Sequence, residues 1–320
     1  MSLATPSSRP DVSVLVPAKD EAENLPELVK QVREALLPQP YACELVIVDD
    51  GSHDDSAAVL RKLTEQHAFI RVVTHRSQRG IADALKSATE AASGRVLIFW
   101  PADLQYLPKD IPDLVAPILA GEADIVTGTK QGAYDKRFVS WVYNTLCRWL
   151  FGVRVTDLNS VKAYRREVVD GVPMRPDWHR FMVVIAAADG FRITSRPVPV
   201  YPRRAGRSKF GISRIPVGML DLVSVWFQLR FARKPMLFFG VSGAMLFLLG
   251  LVAGGVALWL RYGPMHYGFR PLLDLIMVLV ISGVSLFGFG FVGELVAGQR
   301  EELRALQREV DRLRDQGRDH

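Results

Sequence analysis

Residues 96–105 read Val96-Leu97-Ile98-Phe99-Trp100-Pro101-Ala102-Asp103-Leu104-Gln105. A run of branched and aromatic side chains after the Gly94-Arg95 break has the composition of a strand buried on both faces, as in a parallel sheet. Such a strand delivers the residues after it to its carboxyl end, the edge at which open α/β sheets bind ligands. Here that position is taken by Asp103, with Gln105 close behind. On an extended tip the two share a side and offer oxygen ligands of the kind a hard divalent cation takes. Read alone, the segment is equally an acid in a loop after a strand.

The flanking sequence supplies the rest of a sheet. Val12 to Val16 is apolar and ends at Pro17, and Glu21 to Leu36 places Leu25, Leu28, Val29, Val32 and Leu36 at helical spacing. Glu44 to Val48 ends in Asp49-Asp50-Gly51-Ser52, followed by a helix for which Ser52 and Asp55 stand as cap and acidic capping partner. A third strand, Ile70 to Thr74, precedes Gly80 and an alanine-rich helix from Ile81 to Ala92. Beyond the opening stretch come a helix after Pro108 and a strand from Ala123 to Thr127. This alternation predicts an α/β fold with a Rossmann-like, doubly wound, mostly parallel sheet.

The first strand leads to Pro17-Ala18-Lys19-Asp20-Glu21, with neither a glycine fingerprint nor a phosphate loop, so a dinucleotide site is excluded. Acids at two strand ends suit a nucleoside carrying a metal-bound diphosphate. Asp49 and Asp50 can accept from ribose hydroxyls and a base imide, while Asp103 holds the cation. A turn with a helix cap is the simpler reading of Asp49-Asp50-Gly51-Ser52, but a cap needs a single acid and there are two.

The chain has 320 residues and is 49 % apolar, a surplus that lies beyond Lys234. Met236 to Leu260 is 25 residues without a charge, and Leu275 to Gly293 adds 19 more; both are long enough to span a bilayer. Between Ile212 and Phe231 the polar Arg214, Asp221, Ser224 and Gln228 recur at helical spacing, the pattern of a helix lying in the interface with Trp226 and Phe227 at headgroup depth. Nine Lys/Arg lie between Arg196 and Lys234 against two between Arg261 and Pro271, which puts the amino-terminal part and the tail on the cytoplasmic side. No charged-then-apolar leader precedes Asp11, so a secretory signal is not expected. Cys43 and Cys147 form neither a metal spacing nor a disulfide framework. The net charge of +6 crowds next to the apolar segments, favouring anionic lipid and phosphorylated ligands over nucleic acid. Gly250-x-x-x-Gly254 is a candidate helix contact. In the tail, Leu303, Leu306, Val310 and Leu313 fit either a short coiled coil joining a homo-oligomer, dimer or tetramer, or a frayed surface helix.

The resulting layout is a catalytic-type domain over 1–210, interfacial helices over 211–234, a first transmembrane helix over 235–260, an extracytoplasmic loop over 261–271, a second transmembrane helix over 272–297 and a cytoplasmic tail over 298–320. This is a multi-pass protein of the cell (inner) membrane.

Several motifs occur in a set order: Pro17-x-x-x-Glu21, Val48-Asp49-Asp50-Gly51-Ser52, Ala102-Asp103-Leu104-Gln105, Thr127-Gly128-Thr129-Lys130, Asp157-x-x-Ser160 and Arg203-x-x-Gly206-x-Ser208-Lys209. In this the chain resembles family 2 glycosyltransferases, and most of all their polyprenyl-phosphate branch. The resemblance covers residues 11 to about 212 and extends to the two spans. It implies a GT-A fold, a UDP- or GDP-linked sugar donor, Mg2+ or Mn2+, and an isoprenoid-phosphate acceptor. It also implies that Pro17, Ala18, Asp20, Glu21, Asp49, Asp50, Gly51, Ala102, Arg203, Ser208 and Lys209 bind the nucleotide-sugar, and that Asp103 and Gln105 hold the metal. Lys130, Arg137 and Ser140 would hold the acceptor phosphate, and Asp103 and Asp157 would be the catalytic carboxylates. The family usually has Asp-Ala-Asp where this chain has Pro101-Ala102-Asp103, which removes one negative charge from beside the cation. Milder departures are Asp20 for asparagine, Lys130 for arginine and Val161 for glycine.

The residues themselves fit these roles. Tyr134 to Leu150 reads as a basic helix, and a lipid phosphate leaving water needs charge-assisted donors. Arg203 to Lys209 has a glycine for close backbone approach and cations able to close over a diphosphate, or equally to meet anionic lipid. His179 precedes an apolar helix ending at Gly190, where a structural role is the commoner one. The implied activity is inverting transfer of a sugar to a polyprenyl phosphate at the cytoplasmic membrane face. Two other readings stay open: transfer to a hydroxyl of a glycolipid or polysaccharide, and an inactive membrane scaffold that binds nucleotide.

Overall fold

The computed structural model describes residues 9–132, 145–152, 160–170, 181–202, 215–231, 234–263 and 270–316. The chain divides into two compact units, Met1–Leu222 and Val223–His320.

In the first unit the described residues form a seven-stranded sheet of order β3-β2-β1-β4-β6-β5-β7. Its strands are β1 (Val12–Ala18), β2 (Cys43–Asp49), β3 (Ile70–Thr74), β4 (Val96–Phe99), β5 (Ile125–Gln131), β6 (Lys162–Arg165) and β7 (Ile193–Pro199). The pairs β1–β2, β2–β3, β1–β4 and β5–β7 are parallel, whereas β6 runs antiparallel to both β4 and β5. The mostly parallel sheet is therefore present, and β6 is the strand that the alternation of elements does not announce. It is only a few residues long and opens with Lys162, whose charge masks its burial of 2 % relative exposure.

Around the sheet lie α1 (Leu25–Leu36), α2 (Ser56–Gln66), α3 (Ile81–Ala91), α4 (Ile111–Leu119), α5 (residues 145–151), α6 (Arg166–Asp170) and α7 (Met182–Ala188). The residues that α1 buries are Leu25, Leu28, Val29, Val32 and Leu36, the apolar stripe read from the sequence. Each such side chain removed from water contributes about 1.5–3 kcal/mol. The start of α2 differs from the expected Ser52: the helix begins at Ser56 after Asp55 and has no side-chain cap. Ser52 bonds the β1–α1 loop instead of the helix end, while Asp54 serves both, accepting Ala22 N–H on Oδ2 and Ser56 N–H on Oδ1 at 3.0 Å each.

Helix α8 (Ile215–Phe231) crosses the boundary between the units. It buries Leu222 and Val225 while Met219, Leu220 and Val223 stand exposed. The second unit holds α9 (Pro235–Tyr262) and α10 (Arg270–Gln316). Two segments are long and apolar enough to cross a membrane, Pro235–Tyr262 and Arg270–Gln299. The second span and the charged tail form one 47-residue helix. Glycines set how closely the pair packs: a Cβ on Gly243 would lie 2.6 Å from Gly283 O, and one on Gly283 would lie 2.7 Å from Phe247 N. The Gly250-x-x-x-Gly254 motif is half used, since a Cβ on Gly250 would meet Val280 Cγ2 at 2.8 Å while the nearest atom to Gly254 is at 4.0 Å. Pro235 opens α9, and Glu294 of α10 accepts the Met236 N–H at 3.2 Å.

Candidate active site

The parallel register brings strand ends to one edge. Ala18 pairs with Asp49, Asp49 with Thr74, and Leu15 with Phe99. Backbone bonds continue the alignment past the strands: Asp50 N to Ala18 O at 2.8 Å, His75 N to Asp49 O at 2.9 Å and Trp100 N to Leu15 O at 2.9 Å. Pro17, Ala18, Asp49, Asp50 and Gly51 thus sit side by side, with the β4 tip that carries Ala102, Asp103 and Gln105 on the far side of β1.

The β1–α1 and β2–α2 loops are stitched to each other. Asp20 N donates to Ser52 Oγ at 2.9 Å, and Asp20 Oδ1 accepts His53 N–H at 2.7 Å. Glu21 N donates to Ser56 Oγ at 3.1 Å, Ala22 N to Asp54 Oδ2 at 3.0 Å and Lys19 Nζ to Gly51 O at 2.9 Å. Glu21 Oε2 accepts from Asn24 Nδ2 at 2.6 Å. Asp20 has φ 51°, a left-handed conformation that Asp tolerates better than most side chains. In these described contacts Asp20 and Glu21 shape the loop on which a nucleotide would rest.

The two adjacent acids differ. Asp49 Oδ1 accepts Ser52 N–H at 3.0 Å, and among the described residues its Oδ2 accepts nothing. Asp50 is filled on both oxygens: Oδ1 takes His75 Nδ1 and Arg79 N at 2.8 Å each, and Oδ2 takes Gly80 N at 2.8 Å. Burial pushes the Asp50 carboxyl up, but the bonds from Arg79, His75 and Gly80 together outweigh it and hold it below the usual carboxylate range. Gly51, at φ 66°, sits where a Cβ would lie 2.6 Å from the Ser77 carbonyl carbon, so only glycine lets the β2–α2 and β3–α3 loops touch.

The β4 tip differs from the extended form expected. Leu104 has φ 55° and turns into the core at 4 % exposure, and Asp103 Oδ1 accepts Gln105 N–H at 3.2 Å. The tip is a turn because burying Leu104 requires the chain to reverse there. Asp103 and Gln105 remain neighbours on it, and both are partly exposed. Gln105 O accepts Tyr201 N–H at 2.9 Å, which ties the tip to the segment after β7. Lys130 lies near the carboxyl end of β5, at the same edge as β4. Arg137, Ser140, Asp157, Arg203, Ser208 and Lys209 lie outside the described residues.

Several residues at this edge escaped sequence reading. His75 comes after β3 as Asp50 comes after β2, and only the register shows the parallel. Lys162 opens β6 beside Phe99 and Thr127, 2 % exposed. Trp100 Nε1, and Ser160 Oγ of the Asp157-x-x-Ser160 motif read above, are buried without hydrogen-bond partners among the described residues. Among the described residues no group of three His, Cys, Asp or Glu is placed to hold a metal by itself. A cation at Asp103 would have one carboxylate and the Gln105 amide from this chain, a hard-oxygen set that fits Mg2+ or Mn2+ once a diphosphate supplies further oxygens.

Comparison with known proteins identifies the family. The model of "Glycosyl transferase family 2" matches residues 13–171, from β1 through α6. A dodecaprenyl-phosphate galacturonate synthase of Rhizobium johnstonii is 32 % identical over 299 residues, covering 90 % of this chain and 88 % of that protein. An undecaprenyl-phosphate 4-deoxy-4-formamido-L-arabinose transferase of Pseudomonas savastanoi is 29 % identical over 93 % of this chain and 88 % of its own length. Among solved structures, glucosyl-3-phosphoglycerate synthase from Mycobacterium tuberculosis, in complex with Mn2+, UDP-glucose and phosphoglyceric acid, superposes with a TM-score of 0.54 at 21 % identity. That match covers 69 % of this chain and 79 % of the synthase, a shared GT-A-like fold. With acids at the ends of β2 and β4, a sheet of this topology and a relative matched along nine-tenths of the chain, the protein is a glycosyltransferase and belongs to glycosyl transferase family 2.

Proposed function

We propose that the chain transfers one sugar from a UDP- or GDP-linked donor to a polyprenyl phosphate at the cytoplasmic face of a membrane. The observation that carries this is the length of the match: relatives named for polyprenyl-phosphate sugar transfer align over 90 % or more of the chain, well past the sheet.

The acceptor phosphate attacks the anomeric carbon, the bond to the donor diphosphate breaks, and the configuration inverts. A phosphate with a second pKa of ~6 is already largely dianionic at neutral pH and needs no strong base. Asp157 therefore positions more than it deprotonates, whereas a hydroxyl acceptor would demand a true base. Asp49 accepts from the nucleoside beside Pro17, Ala18 and Gly51. Lys130, Arg137 and Ser140 hold the acceptor phosphate by charge-assisted bonds, and Arg203, Ser208 and Lys209 cover the donor diphosphate. Asp103 and Gln105 would hold Mg2+ or Mn2+, which would supply charge neutralisation for the leaving diphosphate. The exposed Met219, Leu220 and Val223 of α8 suit an interfacial helix, and the excess of Lys/Arg before α9 suits a cytoplasmic site.

The test is an acceptor pair. Purified protein in phospholipid vesicles is given a panel of UDP- and GDP-linked labelled sugars with a polyprenyl phosphate or the matching polyprenol. Label should enter the lipid phase with the phosphate and not with the alcohol. Transfer to the polyprenol, or to neither with any donor, would overturn the proposal.

A further inference from the structure

The β3–α3 loop, residues 75–80, is anchored by one buried carboxylate. Asp50 gathers the His75 ring and the Arg79 and Gly80 amides, each at 2.8 Å, immediately before α3 begins at Ile81. The far side of the imidazole is tethered as well, with Nε2 2.9 Å from Ser87 Oγ on α3. His75 is 6 % exposed and Asp50 is 5 % exposed, so the network is shut from water, and breaking it leaves a buried acceptor unmet.

What the network holds is functional ground. The same loop packs against Gly51, and it carries the exposed Arg76 and Arg79 along the edge where Asp49 ends β2, its Oδ2 without a partner among the described residues. Both Asp50 oxygens are engaged by this loop, Oδ1 twice and Oδ2 once. Asp50 therefore serves the loop, while Asp49 is the acid proposed above to meet the nucleoside.

We propose that His75 is a positioning residue for the nucleotide-sugar, acting through Asp50 to fix the Arg76–Gly80 loop against Gly51. The inference rests on the donor site being at this edge, and it does not depend on which acceptor is used. A residue that only stabilised the fold would lower the active fraction, and with it the apparent kcat, without a selective rise in donor KM. A positioning residue for the donor raises donor KM and nucleotide Kd while leaving the acceptor KM and the kcat at saturating donor nearly unchanged.

The experiment uses the full chain in detergent, with UDP and GDP as probes in the presence of Mn2+. His75→Ala removes both tethers. His75→Asn places an amide nitrogen near the position of Nδ1 and can still donate to Asp50. For His75→Ala we expect nucleotide Kd and donor KM to rise about tenfold, the effect of losing one bond to a charged group, with kcat and lipid-phosphate KM within about twofold of wild type. For His75→Asn we expect a Kd within about threefold of wild type, since the bond to Asp50 is kept. An unchanged Kd in His75→Ala, or equal impairment of the two variants, would overturn the proposal. If His75→Ala does not unfold cooperatively, Ser87→Ala takes its place, and an unchanged Kd there is equally fatal. A Kd that tracks His75 in a protein making no lipid-linked product would sink the acceptor reading alone, and absence of nucleotide binding in wild type would sink both.

Discussion

Pro101 is the residue at which this chain departs most from its family's pattern, and the β4 tip shows how the proline is accommodated. β4 ends at Phe99, so Pro101 lies beyond the ladder, where a missing N–H breaks no strand bond. The chemical change is one carboxylate fewer beside the cation. Metal affinity should then come mainly from Asp103, Gln105 and the donor's own phosphates. Calorimetry with Mn2+ should show weak binding to the free protein and strong binding once a nucleoside diphosphate is present. Pro101→Asp should strengthen the former, and Asp103→Asn should abolish the latter together with turnover. Tight Mn2+ binding by nucleotide-free wild type would contradict this. At this scale the sequence places Asp49 and Asp103 at strand ends, and the structure puts both at one edge of the sheet. The sequence was not legible where partners decide, because Asp49 and Asp50 are identical letters that the fold gives different partners, and His75 bonds an acid 25 positions away.

At the scale of elements, strong periodicity was enough. The apolar stripe of α1, the run of β3 at Ile70–Thr74 and the alanine-rich α3 fall where residue spacing places them. Elements defined by pairing were not legible. β6 is short and starts with a lysine, so nothing local marks it as a strand until β4 and β5 bond it on both sides. The start of α2 shifts because Ser52 serves a neighbouring loop and Asp54 meets the first helical N–H, that of Ser56. In the hairpin of α9 and α10, motif and contact separate: Gly250 is close to its neighbour, Gly254 is not, and the tightest approach is at Gly243 and Gly283, which no motif flagged. Gly243→Leu should therefore destabilise the hairpin by about 1–3 kcal/mol, the usual effect of overpacking, whereas Gly254→Ala should be nearly neutral. Thermal unfolding in detergent, compared with nucleotide affinity, checks this: the midpoint should fall for Gly243→Leu while nucleotide Kd stays constant. Equal effects of the two substitutions would place the close crossing elsewhere.

At the scale of the whole molecule, a nucleotide-type edge within residues 1–222 and two long apolar helices within residues 223–320 belong to one chain. A donor that dissolves in water and an acceptor that dissolves in lipid would require both parts. Transfer to phosphate also sets the product: a single sugar in a phosphodiester-type linkage at an anomeric carbon, which mild acid cleaves. The most direct measurement is mass spectrometry of lipid extracted after reaction of the purified protein with polyprenyl phosphate and its preferred nucleotide-sugar. The expected species is the polyprenyl phosphate plus one sugar residue, absent with Asp103→Asn and returned to free sugar and polyprenyl phosphate by mild acid. Lipid bearing two or more sugars, an acid-stable product, or no product from a protein that binds the nucleotide would contradict it.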